Sequence, residues 1–273
     1  MSKHTAAAEE VITDWDQVYE DSFESGGWSY LSRMIIRTIG REVGDVKGKS
    51  FIELGCGSGR NSMRLAKKGG KVTLLDLSAK VLEQAKAHYQ SEGVPADFIQ
   101  GSIFEIPVPD DTYPVVWNAG VIEHWVGEEQ VACIREMLRI TRQDGMVVTL
   151  NPNKHSLHEY GKRVLTKMGQ YAYTDEHNID TLKEQGRKAG GHLVKKEYSV
   201  GFFVLFVGLF IQFRPKNLFG KLSYAIFKVL NGIFTLIDKS PLGTMVYHLD
   251  LLLSRIFGGY LLVSVLRKNP PAQ

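Results

Sequence analysis

A doubly wound α/β fold, with a mostly parallel seven-stranded sheet and a helical insertion before the last strand, is predicted by three observations. Short apolar runs alternate with longer amphipathic stretches from Lys49 to Leu150. A glycine-rich turn joins the first run to the first stretch. After Gly201 the alternation gives way to a long apolar segment, which one more run, Tyr260–Leu266, closes.

The runs read as strands are Ser50–Leu54, Lys71–Asp76, Asp97–Gln100, Val115–Asn118 and Met146–Leu150, with His192–Val200 and Tyr260–Leu266 as the last two. Between the first five lie predicted helices at Asn61–Lys68, Ala79–Ser91 and Glu128–Thr141. Strands that alternate with helices build βαβ units, and a parallel sheet is covered on both faces. Ser78 is placed to cap a helix N-terminus, and Gly69-Gly70 and Gly93 sit at expected C-caps. The first 45 residues read as helical and aromatic-rich (Trp15, Tyr19, Phe23, Trp28, Tyr30), ending near Gly44. Two further helices are predicted at Lys154–Lys167 and Ile179–Ala189. No repeat or low-complexity linker appears. The expectation is therefore one domain: a helical cap over 1–45, a core over 46–200, an apolar helical insertion over 201–257 and a closing strand over 258–268.

Hydrophobic residues make up 44% of the 273-residue chain and charged residues 23%, which suits a globular protein with a sizeable core. Charge is uneven along it. Residues 201–273 hold 8 Lys/Arg against 2 Asp/Glu, whereas 1–200 hold 25 against 28. A basic, apolar end favours an anionic, greasy partner over nucleic acid. Cys56 and Cys133 stand apart without metal-ligand spacing, which fits a reducing compartment and argues against structural zinc or a disulfide framework. Met1–Glu10 lacks the apolar core of a secretory signal, and Phe202–Ile211 is shorter than the roughly 20 residues of a membrane span. The expected location is cytoplasmic, with peripheral membrane association left open.

The sharpest local signal is Glu53-Leu54-Gly55-Cys56-Gly57-Ser58-Gly59-Arg60. A buried strand ends there, and three alternate glycines lead into a helix whose N-terminal N–H groups favour an anionic ligand. Asp76 ends the next strand, 21 residues after Gly55, where an acid can accept hydrogen bonds from both ribose hydroxyls. Together they predict a nucleoside-binding cleft. The third glycine comes four positions after the first, not five as in dinucleotide folds, and no phosphate-loop lysine follows.

Residues 53–60 resemble the first motif of class I S-adenosylmethionine-dependent methyltransferases of the small-molecule type, which have a Rossmann-like fold, and Asp76 resembles their second. Phe98–Ile103 resembles the third, with Ser102 where an acid usually meets the adenine amino group. Tyr113–Trp125 resembles the fourth, with Pro114 in place of the usual Asp. Arg135–Leu150 resembles the helix, turn and fifth strand. The resemblance covers roughly residues 48–152 and implies S-adenosyl-L-methionine as cofactor. It places the glycine loop (Gly55, Cys56, Gly57, Gly59) and Asn118 at the cofactor, Glu53 at its methionine end, Asp76 on the ribose, and Leu77, Ser102 and Ile103 around the adenine.

Such an enzyme delivers a methyl group in line to a nucleophile, with positioning and water exclusion supplying much of the rate. An O–H or acidic C–H acceptor also needs a base. Glu123 and His124 follow the fourth strand and are the first candidates; His155, His158 and Tyr160 follow the fifth, and His177 is weaker. Each has an ordinary structural alternative in loop ordering, packing or solvation. Nucleic acid fits poorly as acceptor: no Asn/Asp-Pro-Pro-aromatic motif follows the fourth strand and no aromatic-interleaved basic run occurs.

In the insertion, Asn217, Lys221, Tyr224, Lys228, Asn231, Thr235 and Lys239 form one narrow polar stripe on an otherwise apolar helix, and Thr244–Phe257 forms another apolar helix. A helix packed on one core needs an apolar stripe only about 100° wide. Three roles stay open: a cap over the sheet, a membrane dock with Arg214, Lys216, Lys221 and Lys228 at headgroup level, or a dimer interface. The first two set hydrophobic material beside the cleft and point to a small lipophilic acceptor. A polar metabolite, or a non-catalytic cofactor-binding scaffold, remains the alternative.

Overall fold

The computed structural model describes residues 29–156, 159, 177–208 and 218–270. Trp15, Tyr19, Phe23, Trp28, His158, Tyr160, Arg214, Lys216 and Asn217 lie outside them, as does most of the helix predicted at 154–167.

The chain opens with α1 (Ser29–Val43) and proceeds through β1 (Ser50–Leu54), α2 (Arg60–Ala66), β2 (Lys71–Asp76), α3 (Ala79–Ser91), β3 (Asp97–Gln100), β4 (Tyr113–Ala119), a 3-10 turn (Ile122–His124), α4 (Glu128–Ile140) and β5 (Thr141–Pro152). It continues with α5 (Lys183–Lys188), β6 (Gly191–Leu193), β7 (Tyr198–Val200), α6 (Phe202–Gly208), α7 (Leu218–Lys239), α8 (Gly243–Phe257) and β8 (Leu261–Lys268). The sheet order is β3-β2-β1-β4-β5-β8-β6, with β7 also on β8. The first five strands in chain order pair in parallel, and β8 is antiparallel to β5.

Alternation along the central strands feeds two cores. Phe51, Val115, Trp117 and Val148 join one with α1, α2 and the C-terminal helices; Ile52, Val116 and Val147 join the other with α4. Helices on both faces thus bury continuous apolar strands, as the doubly wound reading requires. Parallel pairing also puts the ends of β1, β2, β4 and β5 on one edge of the sheet, and the glycine turn lies there.

The sheet departs from seven simple strands because the run His192–Val200 is broken. His192 pairs with Arg267 and Tyr198 with Val263, so the edge strand gains two residues on β8 between the two pairings. That bulge turns Glu197 back, where its carboxylate accepts the Leu182 N–H at 2.9 Å and the Ser264 hydroxyl at 2.5 Å. The helix predicted at Ile179–Ala189 is shorter for a related reason. Ile179 is held extended, its N–H donating to the Pro152 carbonyl and its own carbonyl accepting from Lys154 N–H, so helix begins only at Lys183. At the start of β4, Pro114 has no N–H to give, and the register with β5 shifts between Tyr113 and Val115. Ser78 caps α3 as expected, its hydroxyl accepting the Val81 N–H at 3.2 Å.

Candidate active site

The glycine turn is shaped by contacts on both sides. Gly55, Gly57 and Gly59 all have positive φ, between 50° and 64°. A Cβ on Gly59 would stand 2.3 Å from Leu74 Cδ2 and 3.1 Å from Tyr89 Cε2, and one on Gly55 would stand 2.7 Å from Val121 Cγ2. Only glycine meets both the dihedral and the space there. The turn is tied down by the Cys56 N–H on the Leu75 carbonyl at 3.0 Å and by the Tyr89 hydroxyl on the Gly59 carbonyl at 2.8 Å.

Asp76 faces this turn. One carboxylate oxygen accepts the Gly57 N–H at 2.9 Å and the other the Ser78 N–H at 3.1 Å. The acid is therefore fixed between the glycine turn and the N-terminus of α3, and half-buried. Sequence reasoning placed these two features together, and they are in direct contact.

Glu53 lies beneath the loop. It is 3% exposed, and its carboxylate accepts the Ser62 N–H at 3.2 Å, bracing the first turn of α2. Burial raises its carboxyl to about 8, against the lowering pull of hydrogen bonds from Ser62 and Asn61; the nearby Asp76 charge raises it further. The same burial pushes the Cys56 thiol well above its usual range.

The remaining predicted residues divide. Leu77 is half-buried beside Asp76, and Ile103 is buried beyond β3. The Ser102 hydroxyl accepts the Phe104 N–H at 3.2 Å, a local turn bond. Asn118 is fully buried, but its amide donates to Met137 Sδ at 3.6 Å, so the side chain is directed at α4 rather than at the glycine turn. Glu123 is buried in the 3-10 turn after β4, with its backbone carbonyl accepting the His177 N–H at 2.8 Å. His124 is half-buried and sits edge-on to Trp125. His155 is in a turn rather than a helix; its ring lies 2.6 Å from Asp180, both side chains more than half exposed, as a surface pair.

Two contributors were not singled out from sequence: Val121 and Tyr89, which pack against the loop glycines; Phe104 and Trp125 also pair, with ring centroids 5.0 Å apart. These aromatics are 21 residues apart in the chain, and no local pattern links them. A cavity of about 590 Å³ is lined by Gln100, Glu105, Pro107, Glu136 and Arg139, and adjoins the site through Gln100, whose amide donates to the Leu77 carbonyl at 3.3 Å. Arg139 there is spent on Glu136, Asp110 and the carbonyls of Ile106 and Val108, a clamp between α4 and the segment after β3.

Residues 52–149 match the family described as a methyltransferase domain. Over this stretch the chain carries a methyltransferase domain, similar to those of S-adenosylmethionine-dependent methyltransferases. A Probable S-adenosylmethionine-dependent methyltransferase of Mycobacterium tuberculosis is 32% identical over 107 residues, 39% of this chain and 36% of that protein. A ubiquinone biosynthesis O-methyltransferase of Klebsiella pneumoniae is 30% identical over 118 residues, covering 42% and 48%. A malonyl-[acyl-carrier protein] O-methyltransferase of Erwinia billingiae is 32% identical over 114 residues, covering 41% and 43%. Each match spans less than half of the relative's length and falls short of half of this chain. Among solved structures, the [4+2]-cyclase SpnF shares the fold at 17% identity with a TM-score of 0.55, over 86% of this chain and 80% of that one. The YcgJ protein of Bacillus subtilis does so at 14% identity and 0.53, over 86% and 98%.

The methyltransferase domain's glycine turn and Asp76 fit S-adenosylmethionine. Packing of Gly55 and Gly59 on Val121, Leu74 and Tyr89 fixes the turn beside Asp76, and the fixed carboxylate suits a ribose diol.

Proposed function

We propose that this protein transfers a methyl group from S-adenosylmethionine to a small, lipophilic acceptor. The observation that carries the cofactor half is the Asp76 carboxylate held on the Gly57 N–H at the carboxyl edge of a parallel sheet. The cofactor supplies an electrophilic methyl on a sulfonium, so this chain's residues need chiefly to bind, orient and keep water away. Gly55–Gly59 accept the ligand against the backbone, Asp76 takes the ribose hydroxyls, and Leu77 and Ile103 flank the adenine.

At the acceptor end, His124 is the first candidate to receive a proton, because it follows β4 into the cleft edge and is half-buried beside Trp125. Glu123, more deeply buried, is the candidate to orient that segment. Lipophilicity of the acceptor is supported by the Phe104–Trp125 pair and by the apolar C-terminal helices, whose end abuts the loop after β5. The names of two relatives, one in ubiquinone biosynthesis and one acting on a malonyl carrier protein, favour acceptors with apolar or acyl character.

The test is incubation with methyl-labelled cofactor and a lipid-plus-metabolite extract, followed by mass spectrometry of labelled products. Label in organic-phase products, lost in Asp76→Ala, is expected. Label confined to polar metabolites would overturn the lipophilic reading. Cofactor binding without any turnover would overturn methyl transfer.

A further inference from the structure

We infer that the outer face of the α7–α8 hairpin is a monotopic dock for an anionic phospholipid surface. The inner face of the hairpin buries Phe227 and Tyr247 in the core and sets Phe234 against Tyr30 and Phe203, and polar anchors are added to that packing. On α7, Asn231 accepts the Tyr30 N–H at 3.0 Å, and Asp238 pairs with Arg33 at 2.8 Å and also with Arg37. On α8, Asp250 is fully buried and accepts the N–H groups of Gly201 and Phe203 at 2.8 and 2.9 Å, while Ser254 accepts that of Phe202 at 3.1 Å. These polar side chains, with the buried Phe227 and Tyr247, hold the hairpin to the body.

Other apolar side chains face outward. Leu222, Ile226, Val229, Ile233 and Leu236 repeat at alternating four- and three-residue steps on α7, and all are exposed, Leu236 at 68%. Leu242, Met245, Leu249, Leu252 and Ile256 do the same at the entry to and along α8, Met245 at 61%. Such steps place each set in one row along its helix, turned away from the buried side chains. Scattered exposed leucines are ordinary on a monomer; two adjacent ordered rows are not.

Charge identifies what covers them. Residues 201–257 contain only two acids, Asp238 and Asp250. Both are turned inward, so the charges left on the outside are basic. Lys221, Lys228 and Lys239 are exposed and separated by seven and eleven residues, about two and three helical turns, so they form one row beside the apolar row. Arg255 is exposed on α8. An apolar face bordered by lysines and lacking acids complements lipid tails below anionic headgroups, with the lysine stems reaching up to the headgroup level. Among the described residues no helix is long and apolar enough to cross a membrane. The end of α8 reaches the turn after β5 at the carboxyl edge of the parallel strands: a Cβ on Gly258 would stand 2.4 Å from the His155 carbonyl.

The experiment is sedimentation of the full chain with vesicles of phosphatidylcholine alone or mixed with phosphatidylglycerol. Pelleting with the mixed vesicles that weakens at high salt is expected. Replacing Lys221, Lys228 and Lys239 together by Gln should weaken it roughly 100-fold, about fivefold per lysine. The double variant Leu236→Glu, Met245→Glu should abolish it. Both sites are outward-facing, so calorimetric S-adenosylmethionine binding should stay unchanged, which verifies folding and keeps this inference separable from the methyl-transfer reading. The inference is overturned if the full chain stays in the supernatant with both vesicles or the outer-face variants pellet as before. A soluble dimer that dissociates in the double variant without vesicle binding would assign the face to a second copy and overturn it equally.

Discussion

Replacing Gly59 by Ala tests the glycine turn with an internal control. At φ 64°, any Cβ costs about 1–2 kcal/mol from the left-handed conformation alone. At Gly59 a second cost follows, because the new methyl would meet Leu74 Cδ2 at 2.3 Å and Tyr89 Cε2 at 3.1 Å. Leu74 and Tyr89 are at most 1% exposed, and Tyr89 is anchored by its hydroxyl to the Gly59 carbonyl, so neither can yield cheaply. Overpacking of this kind costs about 1–3 kcal/mol. The total for Gly59→Ala is then about 2–5 kcal/mol. Gly93 supplies the control: its φ is 63°, yet no atom lies within 4 Å of its added Cβ. Gly93→Ala should show the dihedral cost alone, about 1–2 kcal/mol.

Urea unfolding followed by circular dichroism gives both values, and their difference isolates the packing contribution. A second handle is the cycle with Leu74→Ala, which removes the clashing carbon. The double variant should be about 1 kcal/mol or more better than the sum of the singles. Equal costs at Gly59 and Gly93, or additivity with Leu74→Ala, would refute the claim that close packing under the turn demands glycine.

Asp76→Ala should weaken S-adenosylmethionine binding by about 2–4 kcal/mol, roughly 30- to 1000-fold by calorimetry, because charge-assisted hydrogen bonds and the anchor on Gly57 go together; wild-type affinity would remove the ribose assignment. Glu53 has its carboxyl raised above the unfolded value of about 4.3, up to about 8, so its contribution is fully present below the former and lost as pH rises through the latter. Glu53→Gln should therefore flatten a stability loss of up to about 1.4 kcal/mol per pH unit across pH 5–8, and an unchanged slope would count against a neutral Glu53. Cys56 and Cys133 are buried, with thiols pushed up by that burial, so iodoacetamide should label neither in the native protein and both in urea; native labelling of Cys56 would contradict the closed turn. His155→Ala should leave turnover within about twofold, since its ring is engaged with Asp180 at the surface, whereas loss of a general base costs about 100-fold or more.

What the sequence made legible follows from which physics is local. The strands Ser50–Leu54, Lys71–Asp76 and Asp97–Gln100 and the helix Ala79–Ser91 have the bounds their patterns predict, because apolar runs and the Ser78 cap are local signals. The contact between Asp76 and the glycine turn was legible too: two parallel neighbours must end side by side. Where the structure departs, a distant partner decides. Glu197 breaks the edge strand by reaching Leu182 and Ser264, and Ile179 is taken from its helix by Pro152 and Lys154. Asn118 sits at a predicted cofactor position, yet its side chain follows strand alternation to the α4 face, and its amide meets Met137.

The C-terminal hairpin shows the same limit in sharper form. The recurrence of Lys221, Tyr224, Lys228, Asn231, Thr235 and Lys239 reads locally as one polar stripe, the natural solvent face of a helix. The structure divides it. Tyr224, Asn231 and Thr235 are drawn partly inward, Asn231 by the Tyr30 N–H, whereas the three lysines stay exposed. Orientation follows from what the inner face finds on the body: Arg33 and Arg37 for Asp238, and a core place for Phe227 and Tyr247 with Phe234 on Tyr30. With Asp238 seated there, removing its arginine partners would leave a buried charge uncompensated, at a cost of about 3–5 kcal/mol, so the pairing fixes the register of α7 on α1. The apolar rows on the opposite side face outward as the consequence of that anchoring and packing together. A face fixed outward by charges on its other side is positioned before any partner arrives, which is what a pre-formed docking surface requires.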